Sequence, residues 1–303
     1  MTLNSGVDAI HLAVDIGGTK TIIALAHHKK IIATKQIPTS SGGFDEFQRD
    51  FYLAFTTLCT ESNIQASSIA SAVVAAPGLL DLKTGVILRA INLDWNSVRI
   101  VEHFRALLGI ERIQLASDKS CAALAEFSTR NGKHKSLLYF TASTGISCAL
   151  VIEGKVWGGS NNFAGEIGQT IIEGNEIDRT KTLERAASGG AIFRDWGRSA
   201  ADLEIEADEG NAESRNILVE AGKTLGLAIF NQMQILDCDV CVVGGGLALG
   251  SDIYFQAVTK TLESAESSSV QRRYFVERSV LGSDAVILGA VALANSHEGS
   301  YHA

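Results

Sequence analysis

Two apolar runs, His11-Leu-Ala-Val-Asp-Ile16 and Lys20-Thr-Ile-Ile-Ala-Leu-Ala26, stand three residues apart around the pair Gly17-Gly18. Short β-branched runs bounded by glycine read as strands, so residues 11–16 and 20–26 form a hairpin. The polar turn His27-His28-Lys29-Lys30 returns a third strand over 31–37, and the start of the chain is a meander. Asp15 is the only carboxylate between residues 13 and 25, and it sits where the first strand runs out.

A similar arrangement begins again at residue 136. A strand over 136–142, the bend Ser143-Thr144-Gly145, a strand over 147–153, the turn Glu153-Gly154-Lys155 and Val156-Trp157 distantly echo the opening meander. Between the two, Phe44, Phe47, Phe51, Phe55 and Leu58 recur at helical spacing. A strand through Ala72–Ala75 ends at Pro77-Gly78; a hairpin at 81–85, a helix near 97–108 and a strand near 112–116 complete a mixed α/β unit. After the echo come helices near 182–196, 200–209 and 212–236, then a strand over 239–243 running into Gly244-Gly245-Gly246. A helix near 252–266, a strand around 273–278 and a helix near 284–296 close the chain. With 303 residues, two prolines and no low-complexity linker, two closely packed domains with a cleft between them are expected.

Composition narrows the function classes. Charged residues make up 20% and the net charge is 26 − 34 = −8 with no basic block, which argues against a surface built to neutralise nucleic-acid phosphates. No apolar run reaches the roughly 18 residues that span a bilayer, and Met1–Ala9 has no basic leader region. The expectation is a soluble cytoplasmic protein with no membrane or nucleic-acid partner. Cys59, Cys121, Cys148, Cys238 and Cys241 lie in apolar settings and read as reduced core thiols. Cys238-Asp-Val-Cys241 has the spacing of a ligand pair but leads into an apolar strand with no second Cys/His pair.

Five stretches carry possible chemistry. Glycines at the 17–18 bend let backbone N–H groups approach a phosphate, with Thr19 and Lys20 as further donors. A tight hairpin with a solvated Asp15 accounts for the same residues equally well. Ser143, Thr144 and Gly145 offer a second set of donors that, opposite the first, would clamp a polyphosphate. Ser117-Asp118 ends a strand and opens a helix: an N-cap by the plain reading, a proton acceptor for a substrate hydroxyl by the functional one. Asn162-Phe-Ala-Gly-Glu-Ile-Gly-Gln169 either shapes a loop or binds vicinal hydroxyls through Glu166, and Gly244–Gly246 either make a flexible turn or admit a flat ligand.

In order and spacing these stretches resemble the ROK family of sugar kinases and related repressors, within the actin-like ATPase superfamily. Asp15-Ile-Gly-Gly-Thr-Lys20 is similar to that family's first phosphate motif, Ala76-Pro77-Gly78 to its substrate-side turn and Asn92-Leu-Asp-Trp95 to its Asn-Leu-x-Trp. Asp118 falls on the catalytic Asp, Ser143-Thr144-Gly145 on the second phosphate loop, and Ala164-Gly-Glu-Ile-Gly168 and Leu183-Glu184-x-x-Ala187-Ser-Gly189 on the sugar-binding segments. Gly244-Gly-Gly246 and Leu281-Gly-x-Asp284 match the nucleotide side and the closing helix, and the likeness runs colinearly over roughly residues 10 to 295. There are departures. The usual Asn-Asp is Ser117-Asp118, and Glu-x-Gly-His becomes Glu166-Ile-Gly-Gln169. The cysteine-rich zinc loop has no counterpart between Gln169 and Leu183, and Ile146-Ser147-Cys148 stand where glycines are usual.

The resemblance implies an α/β protein of the two-domain actin-like (ribonuclease H-like) fold. An N-terminal domain over 1–116 would carry the closing helix 284–297 packed back on it, and a larger domain would span 117–283. It implies ATP as donor, polyphosphate remaining open, and Mg²⁺ held at Asp15 through water, with no zinc. Asp118 would be the catalytic base; Asp15, Gly17, Gly18, Thr19, Lys20, Ser143, Thr144, Gly145, Gly244, Gly245 and Gly246 would bind the nucleotide. Gly78, Asn92, Ser117, Glu166, Gln169 and Glu184 would receive a sugar-like acceptor: a glucose-type hexose, an N-acyl amino sugar or a cyclitol. A homodimer or higher homo-oligomer is expected. The alternatives are a non-catalytic sugar-responsive regulator and an actin-like filament protein. Only ten residues precede the first strand, so a DNA-binding helix-turn-helix is not expected.

Overall fold

The computed structural model describes residues 9–28, 30–39, 42–265, 275–295 and 301–302. These fall into two compact units, one within 1–125, 158–163 and 284–303, the other within 126–157 and 164–283.

The first unit runs β1 (Ile10–Ile16), β2 (Lys20–His27), β3 (Lys30–Pro38), α1 (Phe44–Glu61), β4 (Ile69–Ala76), β5 (Leu79–Asp81), β6 (Val86–Ala90), β7 (Trp95–Val98), α2 (Ile100–Leu108), β8 (Ile113–Ser117) and the start of α3 (Asp118–Thr129). Its main sheet has the order β3-β2-β1-β4-β8, while β5, β6 and β7 form a small sheet of their own. The first three strands are an antiparallel meander, and β4 and β8 add in parallel beyond β1. Leu12, Ala13, Val14 and Ile16 are all fully buried, so both faces of β1 need cover. Leu12, Val14 and Ile16 meet one face's cluster, where Phe47, Phe51, Phe55, Phe104 and Trp95 pack with Phe51 and Phe104 ring centroids 4.4 Å apart. Burying each such side chain contributes about 1.5–3 kcal/mol. A helix late in the chain, Ala285–Asn295, takes no part in that cluster and packs against β1 and β4.

The second unit contains the rest of α3, β9 (Ser136–Ala142), β10 (Ile146–Ile152), β11 (Lys155–Trp157), α4 (Leu183–Ala187), α5 (Gly189–Trp196), α6 (Ala200–Asp208), α7 (Ala212–Leu236), β12 (Val240–Gly244), α8 (Gly246–Gly250), α9 (Asp252–Ala265) and β13 (Val276–Arg278). The late helix Ala285–Asn295 is α10. The order β13-β12-β9-β10-β11 repeats the first sheet: an antiparallel meander, then two strands parallel to its first member. The echo read from one hairpin thus extends to these five strands. Leu138, Phe140, Leu218, Leu225, Val243 and Tyr254 anchor the second core.

The structure departs from the sequence reading in three places. The helix expected near 182–196 is two helices broken at Ser188, whose extended backbone (φ −88°, ψ 160°) lets its side chain accept the Ala191 N–H and cap α5. The helix expected from 97 starts at Ile100 because Trp95–Val98 pair with β6, after Asp94 reverses the chain at φ 52°. The glycines after β12 open the short helix α8 rather than a plain turn. Residues 266, 273–274 and 296–297 of the expected closing elements lie outside the described residues.

Gly289 sits where α10 crosses α3, and a Cβ there would lie 1.9 Å from the Cys121 carbonyl oxygen. Alanine in place of a helical glycine normally gains up to about 1 kcal/mol. Gly289→Ala should instead lower stability by about 1–3 kcal/mol through overpacking, read as a lower urea midpoint with unchanged slope.

Candidate functional site

The first bend is held by its carbonyls. Gly17 N–H donates to Lys20 O (2.9 Å), Thr39 N–H to Thr19 O (3.0 Å) and Thr39 Oγ1 to Gly17 O (2.8 Å). Thr39 follows β3 and also shares a hydroxyl–hydroxyl bond with Thr21 (2.9 Å). The sequence reading missed Thr39; its signal was a hydroxyl residue just after Pro38, the partner of Lys20 in the β2–β3 register. The N–H groups of Gly18 and Thr19 make no hydrogen bond within the described residues, and both residues are exposed. Unpaired neighbouring N–H groups at a bend are an anion-binding concavity.

Asp15 and Asp118 stand at the carboxyl ends of parallel strands β1 and β8, with β4 between them: Asp15 pairs with Ala75, Ala75 with Ala116 and Ala76 with Ser117. The carboxyl edge of such a sheet is where α/β folds receive ligands. Asp118 opens α3 and accepts the Lys119 N–H (2.6 Å) and the Ser117 hydroxyl (3.3 Å). Burial, and then the neighbouring Asp118 carboxylate, push the Asp15 carboxyl up to about 7 against the pull of Lys20. Burial also raises the Cys121 thiol well above its ordinary range, with both carboxylates adding to the effect. On the same edge, Gly78 follows β4 at φ +96°, and Asn92, in the 3-10 turn Ile91–Leu93, lies beside Gly18, whose added Cβ would stand 3.5 Å from Asn92 Cβ. Every site candidate of the first unit therefore gathers at one sheet edge.

The second bend follows the same rule. Ser143 N–H donates to Gly145 O (2.9 Å), while Ser143 O and Thr144 O accept from Gly189 N–H (2.8 Å) and Gly190 N–H (3.0 Å) at the start of α5. Thr144 and Gly145 N–H groups make no hydrogen bond within the described residues. The glycine turn lies alongside: Gly244 closes β12 opposite Thr141, and Gly245, at φ +90°, leaves no room for a Cβ, which would meet Ala142 O at 2.4 Å. An added Cβ at exposed Gly246 would stand 3.6 Å from Ser143 Oγ. Glu184 is less free than the sequence implied, for its Oε2 accepts the Ile146 N–H at 2.9 Å. Exposed Glu166 precedes the 3-10 turn Ile167–Gln169 and exposed Gln169 ends it, next to Gly168, which packs against Ile146 O and Glu184. The following segment closes on itself through Ile172 N–H to Lys181 O (3.0 Å) and Leu183 N–H to Thr170 O (3.0 Å).

Two units, each a meander extended by two parallel strands and each presenting a bend with open N–H groups, define a protein of the actin-like ATPase class. The ROK family model matches residues 11–297, and the chain belongs to the ROK family. It is 27% identical over 298 residues to an N-acetylmannosamine kinase of Yersinia pestis, covering 94% of this chain and 98% of that protein. A glucokinase of Halalkalibacterium halodurans is 26% identical over 321 residues, covering 97% of each. The ROK hexokinase of Thermus thermophilus shares the fold with a TM-score of 0.77 at 24% identity, over 94% of this chain and 97% of that one.

The Asp15 carboxyl sets a pH dependence. The unfolded chain holds this proton only below about pH 4, whereas the folded chain holds it to about 7. Between those values the folded state binds more protons, so this group's contribution falls as pH rises and levels off above 7. Asp15→Asn should remove that fall and stabilise the protein at pH 8 by a few kcal/mol (roughly three pKa units), measured as the difference in denaturant midpoints between wild type and variant from pH 4 to 8 in cation-free buffer.

Proposed function

We propose that this protein is a carbohydrate kinase that transfers the terminal phosphate of ATP to a hydroxyl of a hexose-like sugar. The observation that carries the reading is Asp118: a carboxylate at the carboxyl end of β8, oriented by the Lys119 N–H, on the same sheet edge as the open N–H groups of Gly18 and Thr19. In this reading those N–H groups and Lys20, together with those of Thr144 and Gly145 and the Ser143 hydroxyl, hold the phosphates. Gly244–Gly246 leave space on the nucleotide side. Asn92, Glu166 and Glu184 orient the sugar, with Gly78, Ser117 and Gln169 shaping its pocket. Asp118 accepts the proton of the attacking hydroxyl.

The residues fit a divalent cation. Asp15 is a partly buried carboxyl whose charge is disfavoured by burial and then by Asp118, and only partly offset by Lys20, so a cation there would be welcome. An oxygen donor of this kind suits Mg²⁺, which keeps most of its water and leans on phosphate oxygens. Bound there, Mg²⁺ would neutralise phosphate charge during transfer. The five cysteines are buried without a disulfide, which supports a reducing, cytoplasmic setting. No helix among the described residues is long and apolar enough to cross a membrane.

The substrate names of the relatives bracket the acceptor class: an N-acyl amino sugar in one, glucose in another. Ser117 and Gln169 are the residues that would tune the choice. Coupled ADP-release assays over glucose, mannose, N-acetylmannosamine, N-acetylglucosamine and inositol should give turnover on at least one. Silence on all of them, with sugar binding retained, would assign a regulatory role instead. Asp118→Asn should lower kcat by about 10²–10⁴-fold and leave nucleotide affinity near wild type; near-normal turnover would remove Asp118 from the base role.

A further inference from the structure

We infer that Glu184 is a positioning residue for the phosphate bend at 143–145, so that the grip on nucleotide depends on a side chain of the acceptor side. The inference rests on the kinase reading of the site. Glu184 stands on a short helix with little freedom: Leu183 and Ala187 are fully buried, Ala187 O accepts the Tyr254 hydroxyl at 3.0 Å, and the Thr182 hydroxyl caps the helix at the Arg185 N–H (3.4 Å). From there Oε2 takes the N–H of Ile146, the first residue after the bend. A hydrogen bond to an ionised carboxylate is about twice as strong as a neutral one. Space for it is provided by missing side chains: a Cβ on Gly145 would come within 2.5 Å of Oε2, and one on Gly168 within 3.2 Å. Six residues along the chain from Glu184 and its bond, Gly190 holds Thr144 O, and Gly189 holds Ser143 O. The segment 183–190 therefore fixes the bend on both flanks, and the bend's open Thr144 and Gly145 N–H groups point where this segment sets them.

A sugar hydroxyl that donates to the same carboxylate draws on charge that the Ile146 bond also uses. Acceptor and nucleotide affinities are then linked, and the coupling is reciprocal. The Kd of a non-hydrolysable ATP analogue, measured without sugar and alongside the KM values for ATP and sugar, tests this. Glu184→Ala should raise the analogue Kd and the ATP KM by at least about threefold (some 0.6 kcal/mol). Glu184→Gln, whose amide oxygen still accepts from Ile146, should restore both while the sugar KM stays raised. Should the alanine variant fail to fold, Glu184→Asp, whose carboxylate is one methylene short of the Ile146 N–H, is read in the same way. A smaller rise in nucleotide Kd, or an equal rise in the alanine and glutamine variants, overturns the inference. Wild-type protein that binds the analogue but phosphorylates no sugar counts against the kinase reading alone, since the Kd comparison still decides the role of Glu184; wild-type protein that binds no nucleotide overturns both.

Discussion

The functional architecture depends on where the backbone hydrogen bonds of two hairpin bends go. In each, the carbonyl oxygens are taken by neighbouring chain: Thr39 at the first bend, and Gly189 and Gly190 at the second. In each, two consecutive N–H groups have no partner among the described residues. Backbone amides are obligatory hydrogen-bonding groups, tolerated unpaired only where solvent or a ligand can reach them. The bends are thus rigid on their carbonyl side and receptive on their amide side. The duplicated sheet supplies this device twice, from the same strand order.

The carboxylates show the cost of such a site. Asp15 is placed by the β1 register between Ala75 and Ile22, where burial and then Asp118 disfavour its charge. A strand buried from His11 to Val14 and again at Ile16 would be more stable with an apolar side chain there. The retained proton marks a place that favours incoming positive charge, and local instability of this kind collects at functional sites.

Much of this was legible from residue order. The meander around Gly17-Gly18, its echo around Ser143–Gly145 and the helical recurrence of Phe47, Phe51 and Phe55 all correspond to elements in the structure, because period and glycine placement are local signals. What failed was local signal overridden by distant partners. Residues 182–196 read as one helix, yet the chain breaks at Ser188, just before Gly189-Gly190, whose N–H groups bond to Ser143 O and Thr144 O. Ser97 and Val98 read as the start of a helix near 97–108 and became the end of a strand by pairing with β6. Thr39 carried no motif, and its role is visible only once the end of β3 lies beside the bend.

The sequence by itself determined the family, the mixed α/β class, the two bends and the residues worth suspecting, because each motif is encoded over a few consecutive positions and their order along the chain is read directly. Only the tertiary structure decided how those residues are used. It withdrew Asp15 from solvent beside Asp118, which raises its carboxyl to about 7, gave Thr39 to the first bend, and turned Glu184 toward Ile146. The physical reason is common to all three. Charge coupling and hydrogen bonding depend on distances between atoms far apart in the chain, which strand register and helix packing set and no local pattern records.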